Sequence, residues 1–130
     1  MLKINNLKKS FIVDKGQVGA VKNVSVDIGE GQFFTFLGPS GSGKSTTLRC
    51  IAGLEQPLSG EILIDDHLVF SAANATFVPP ERRNIGMVFQ SYAIWPHMTV
   101  FQNVAYPLAI EAGRAEIGRA SCRERVLYRV

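Results

Sequence analysis

The chain has 130 residues, 46% hydrophobic and 19% charged, the balance of one compact globular domain or of part of a larger one. Its longest apolar runs are strand-sized and its first ten residues hold no apolar signal core, so neither a spanning helix nor a secretory leader is read, and a cytoplasmic setting is expected. The net charge of +3 is concentrated at one end: residues 116–130 hold four Arg and two Glu, leaving ten basic and nine acidic side chains in the first 115 and no basic face for nucleic acid.

Residues 2–7 and 20–28 alternate apolar with polar, which predicts two half-buried strands joined by a loop at 14–19. Gly29-Glu-Gly31 reads as a turn. Residues 32–37, Gln-Phe-Phe-Thr-Phe-Leu, are almost continuously apolar, the pattern of a strand covered on both faces. A helix is predicted over 44–52, with Leu48, Ile51 and Ala52 on one face and Gly53 placed to end it. Cys50 falls among these apolar neighbours and reads as a small buried residue, and with Cys122 it has no metal-ligand spacing. A strand is predicted at 61–65, a polar loop at 70–81 stopped by Pro79-Pro80, and a second buried strand at 85–89. Thr99 and Gln102 have capping-box spacing and open a helix toward Ile110.

The chemistry lies between the apolar strand and the first helix. Gly38, Pro39, Ser40, Gly41, Ser42, Gly43, Lys44, Ser45 and Thr46 meet the spacing Gly-x-x-x-x-Gly-Lys-Ser in the context that pattern requires. A triphosphate needs many donors converging from one side. The glycines let successive backbone N–H groups turn inward, and the first turn of the helix adds unpaired N–H groups and the positive end of its dipole. Lys44 supplies a mobile point charge for the outer phosphates, and Ser45 a hydroxyl for magnesium. ATP with magnesium is the expected ligand.

At this point the chain resembles the nucleotide-binding subunits of ABC transporters, over nearly all of residues 1–112. The resemblance rests on the strand pair before the loop, on Gly53-Leu-Glu-Gln-Pro-Leu-Ser-Gly-Glu-Ile62, and on Val88-Phe-Gln-Ser-Tyr-Ala-Ile-Trp-Pro-His-Met-Thr-Val100, which is similar to the family's Q-loop. It implies an α/β fold: a P-loop NTPase (ABC ATPase) core with an N-terminal antiparallel β subdomain, incomplete at the C-terminus. It implies that Phe11 stacks on adenine, with a core phenylalanine as the rival reading. It implies that Gln90 contacts magnesium or the attacking water, a task suited to an amide that accepts without adding fixed charge. The stretch from Ser91 to Met98, with Tyr92, Trp95 and Pro96, would then face membrane permease subunits, and a second copy of the ATPase subunit would complete the site. His97 is expected to serve an interface or a cap. The wording from Val78 through Trp95-Pro-His97 resembles importers of ferric iron, polyamines, sulfate or sugars, ferric iron and polyamines most. A non-transport ABC ATPase or a nucleotide-binding module without hydrolysis is the alternative.

Residues 1–115 are therefore read as the N-terminal part of a nucleotide-binding domain, and 116–130 as a non-native tail. Glu116-Ile-Gly-Arg-Ala-Ser-Cys-Arg-Glu-Arg-Val126 matches, codon for codon, the in-frame translation of a common sequencing adapter, while Leu127 to Val130 do not follow from it. The family's signature segment, its acidic magnesium-binding strand end, its catalytic glutamate and its switch histidine do not occur in the chain. The polypeptide as written is not expected to turn over ATP.

Overall fold

The computed structural model describes residues 1–14, 16–91, 94–113 and 125–127, with side chains described outside 109–113 and 125–127. The chain divides into two compact units, Met1–Ile85 and Gly86–Val130.

The first unit is built on a five-stranded sheet. β1 (Leu2–Val13) and β2 (Gly16–Ile28) form a long antiparallel hairpin whose register runs from Leu2 opposite Ile28 to Val13 opposite Gly16. The loop expected at 14–19 is thus strand from Gly16 onward. The hairpin tip extends away from the core, so its side chains lack the apolar alternation that marks a half-buried strand. β3 (Ser59–Ile64) lies on the other side of β1, and β4 (His67–Ser71) and β5 (Thr76–Phe77) follow outward, giving the order β2-β1-β3-β4-β5 with antiparallel ladders throughout. β4 was not legible in the sequence, and β5 falls where a loop was expected. The β3–β4 connection is the two-residue turn Asp65-Asp66, with φ of 51° and 63°. Positive φ at both central positions is the hairpin geometry usually marked by Asn-Gly or Asp-Gly, and Asp-Asp conceals it.

The helix α1 (Lys44–Ala52) forms as predicted and ends at Gly53 in the left-handed region, φ 80°. It buries Leu48, Cys50, Ile51 and Ala52, while Ile4, Leu7, Val21, Ile62, Ile64, Val69 and Phe70 supply the buried apolar side chains of the sheet.

Two expected strands differ. Residues 32–37 take no ladder partner among the described residues; Phe33 is 86% exposed and Leu37 96%. A strand apolar on both sides is held only by neighbouring strands, and the sheet of this unit runs through other residues. The strand expected at 85–89 is shorter: β6 (Ile85–Met87) pairs with β7 (Arg125–Leu127), and Val88 and Phe89 are exposed. β7 is the described part of the 116–130 segment.

In the second unit α2 (Val100–Gly113) starts at the predicted capping box. The Gln102 backbone N–H donates to Thr99 Oγ1 at 3.2 Å, and the Thr99 N–H donates to Gln102 Oε1 at 2.8 Å. No helix among the described residues is long and apolar enough to cross a membrane.

Candidate phosphate-binding site

All nine loop residues, 38–46, lie in the first unit, on the approach to α1 and in its first turn. The helix starts at Gly43, whose φ of 74° is left-handed, and no side chain caps it. The first-turn N–H groups of a helix have no intrahelical acceptor. With no carboxylate in that turn either, the dipole end is left for an external anion. Gly43 also packs directly on β2: a Cβ there would collide with the Ala20 carbonyl oxygen. Glycine at this position is therefore required twice, by dihedral and by space. Gly41 has φ 81°, and the Ser42 N–H donates to the Pro39 carbonyl at 3.3 Å, closing the loop into a turn.

Lys44 Nζ donates to the carbonyls of Gly38 and Pro39 at 2.9 and 3.1 Å, so the ammonium is folded over the loop it belongs to. Ser45 and Thr46 follow in the first turn, half-buried. Thr47 Oγ1 donates to the Gly43 carbonyl at 2.8 Å and fastens that turn. A cavity of about 460 Å³ lies between β2 residues 19–24 and Gly41, Ser42, Gly43 and Thr47, within the size range of small-ligand sites. Uncapped donors, a folded-over ammonium and an adjacent cavity fit the phosphates of a nucleotide. No cluster of three or more His, Cys, Asp or Glu suited to a metal occurs among the described residues.

Phe11 lies on β1 opposite Val18, 37% exposed, with Lys9 Nζ 4.9 Å from its ring centroid. It is not part of the buried core. Gln90 belongs to the second unit, exposed, three residues beyond the end of β6. In the same unit Trp95 is 49% exposed, its ring 6.0 Å from those of His97 and Tyr106. Tyr92 lies outside the described residues.

Two supporting residues escaped the sequence reading. Arg83, 2% exposed, donates to the carbonyls of Val78, Cys50 and Ile51 at 2.7–2.8 Å, closing the C-terminal end of α1. Burial lowers its pKa from the ordinary value, with Cys50 opposing. A Cβ at Gly53 would lie 2.6 Å from Arg83 Nε, so the helix stop and the arginine occupy one packed corner. A charged residue beside Pro79-Pro80 looks like solvated loop; only the two consecutive arginines hinted at another use. Asn103 Nδ2 donates to the carbonyls of Trp95, Met98 and Thr99, and Asn103 Oδ1 accepts from the Trp95 N–H, tying down the segment before α2.

A glycine-turned loop running into an uncapped helix, with a lysine at the head of that helix, defines a phosphate-loop nucleotide-binding protein. The family model described as "ABC transporter" matches residues 21–129, and the chain belongs to that family. It is 55% identical over 95 residues to the trehalose/maltose import ATP-binding protein MalK of Thermococcus litoralis, covering 73% of this chain and 26% of that protein. It is 48% identical over 115 residues to the spermidine/putrescine import ATP-binding protein PotA of Nitrosospira multiformis, covering 88% of this chain and 29% of that protein. Among solved structures, the dimeric post-hydrolysis state of the ATP-binding cassette MJ0796, bound to ADP and Pi, superposes with a TM-score of 0.74 at 33% identity, covering 94% of this chain and 51% of that one. The fold class is that of the ABC ATPase cassettes, and the chain spans less than a third of the two import proteins' lengths.

Proposed function

We infer that this chain is the N-terminal part of the ATP-binding subunit of an ABC importer, in which ATP binding and hydrolysis are coupled to solute uptake. One observation carries this: an uncapped, lysine-headed phosphate loop in a chain that is 55% identical to an import ATP-binding protein.

In this reading the backbone N–H groups of Gly41 and of residues 43–46 hold the phosphates, and Lys44 exchanges its bonds to the Gly38 and Pro39 carbonyls for phosphate oxygens. Ser45 would offer magnesium a hydroxyl and Gln90 an amide oxygen, and the ion would neutralise phosphate charge when bound. Phe11 stacks on the adenine, and Gln90 orients water. The segment from Ser91 to Met98, with exposed Trp95 and Pro96, docks on the permease subunits, and a second copy of the subunit completes the site. The protein then sits peripherally on the inner face of the membrane, and the permease with its binding protein selects the solute. Residues 116–130 are a non-native tail that plays no part in this activity.

Sequencing the source locus beyond Ala115 tests the reading. The expected continuation encodes a signature segment, an apolar strand ending in Asp-Glu and a downstream histidine, beside permease genes. An intact gene without these parts removes hydrolysis and leaves the nucleotide-binding alternative, and a gene continuous through residues 116–126 sinks the non-native tail.

A further inference from the structure

We propose that Lys9 is a positioning residue for nucleotide binding, holding the Phe11 ring at a fixed place relative to the phosphate loop. Lys9 and Phe11 are two apart on β1 and share a face of the strand. The Lys9 ammonium stands 4.9 Å from the Phe11 ring centroid, within cation–π range. It does not reach there as a free surface lysine. Its side chain is 13% exposed, and Nζ is held by Glu55 Oε2 at 3.1 Å and by the Gln56 carbonyl at 2.9 Å.

Both anchors belong to the stop of the phosphate-loop helix. The N–H groups of Leu54 and Glu55 donate to the Arg49 carbonyl in the last turn of α1, at 2.9 and 3.2 Å, so Glu55 is fixed to the helix by backbone. One end of α1 thus carries the phosphate loop, and its other end grips Lys9, which in turn holds Phe11. The ring is connected to the loop through a single rigid element of nine residues rather than through the long hairpin alone. The cation lies over one face of the ring, and Phe11 as a whole is exposed enough for a base to reach it. A ring anchored in advance stacks without first losing rotamer freedom, so removing the anchor weakens binding of the base and leaves binding of the phosphates intact.

The inference rests on the reading of Phe11 as the base-stacking residue, and the test separates the two. It uses the full-length protein encoded at the source locus, or the 130-residue chain if the locus encodes no more. Affinities for magnesium-ATP and for magnesium-tripolyphosphate, which has no base, are measured by calorimetry for the wild type and for Lys9→Met, Lys9→Arg, Phe11→Ala and the Lys9→Met/Phe11→Ala double variant. Lys9→Met, which keeps the aliphatic stem, is expected to weaken ATP binding about five-fold, the loss of one partly desolvated cation–π contact, with tripolyphosphate binding unchanged. Lys9→Arg restores most of the ATP affinity, and in the Phe11→Ala background Lys9→Met has no further effect.

A Lys9→Met loss that is equal for both ligands, or that persists without Phe11, makes Lys9 a structural residue and overturns the proposal. So does a Lys9→Met variant with wild-type ATP affinity while Phe11→Ala is impaired. Wild-type affinity in Phe11→Ala overturns the stacking reading itself, and this proposal with it.

Discussion

Residues 59–64, which end in the apolar run Ile62-Leu-Ile64, and the almost continuously apolar residues 32–37 both belong to the first unit, and they meet opposite fates. The first becomes β3, paired with β1 on one side and β4 on the other, with Ile62 fully buried. The second pairs with nothing described and leaves Leu37 almost wholly in solvent. Hydrophobicity marks a segment as fit for a sheet interior, but backbone N–H and C=O groups need ladder partners before that interior exists. β3 finds its partners within about sixty residues on either side. The run at 32–37, whose pattern demands cover on both faces, does not.

Four measurements break or sharpen that contrast. The largest effect concerns residues 1–115 expressed alone. Phe33 and Leu37 are left open to solvent, and an unpaired apolar strand sequence templates association. We expect this polypeptide to be insoluble, or to bind ATP only feebly beside the full-length protein; cooperative unfolding with micromolar ATP affinity would show that the open segment does no harm.

Next comes Arg83→Met. It removes charge-assisted hydrogen bonds from the carbonyls of Val78, Cys50 and Ile51 in a buried corner, a loss of roughly 3–5 kcal/mol at about 1.5 kcal/mol each. Chemical denaturation of the full-length protein measures it, and a change below about 1 kcal/mol would mean that water or backbone replaces the guanidinium.

The contrast itself is tested by truncating both segments in the full-length protein. Ile62→Ala should cost about 2–4 kcal/mol, and Leu37→Ala about as much if the rest of the sheet forms around residues 32–37. A Leu37→Ala cost within about 0.5 kcal/mol would make that segment a surface loop in the whole protein as well.

The smallest effect is a pH slope. Burial pushes the Cys50 thiol up to about 11, Lys9 and Arg83 opposing and Glu55 adding to the rise. The folded protein therefore keeps a proton that the unfolded chain loses above its ordinary value of 9.0. Stability from this group is complete below pH 9 and falls as pH rises toward about 11. Denaturation midpoints across that window should decline in the wild type and decline less in Cys50→Ala; parallel slopes would place the titration elsewhere.

The sequence disclosed the elements whose rules are local. The ends of α1, the left-handed Gly53 and the Thr99–Gln102 capping box depend on residues within four positions of one another, and each stands where the spacing placed it. The phosphate loop was legible for the same reason. What stayed hidden depends on distant partners or on disguised turns. Asp65-Asp66 makes a hairpin without its usual residues, which hid β4, and Arg83 reaches carbonyls more than thirty positions earlier in the chain. Lys9, which falls outside the strand predicted at 2–7, finds its anchors at Glu55 and Gln56. For residues 32–37 the composition fitted a buried strand, but composition does not say which chain segments lie alongside.

The account turns on the loop at residues 38–46 as the binder of nucleotide phosphates. Magnesium-ATP titrated into the full-length protein and into its Lys44→Ala variant tests this most directly, with matched unfolding midpoints showing that both are folded. We predict saturable binding in the wild type and at least about ten-fold weaker binding in the variant, as expected for losing a charge-assisted phosphate contact of about 1.5 kcal/mol or more. Equal affinity in the two proteins would contradict the assignment of Lys44, and no binding to either would remove nucleotide from the loop altogether.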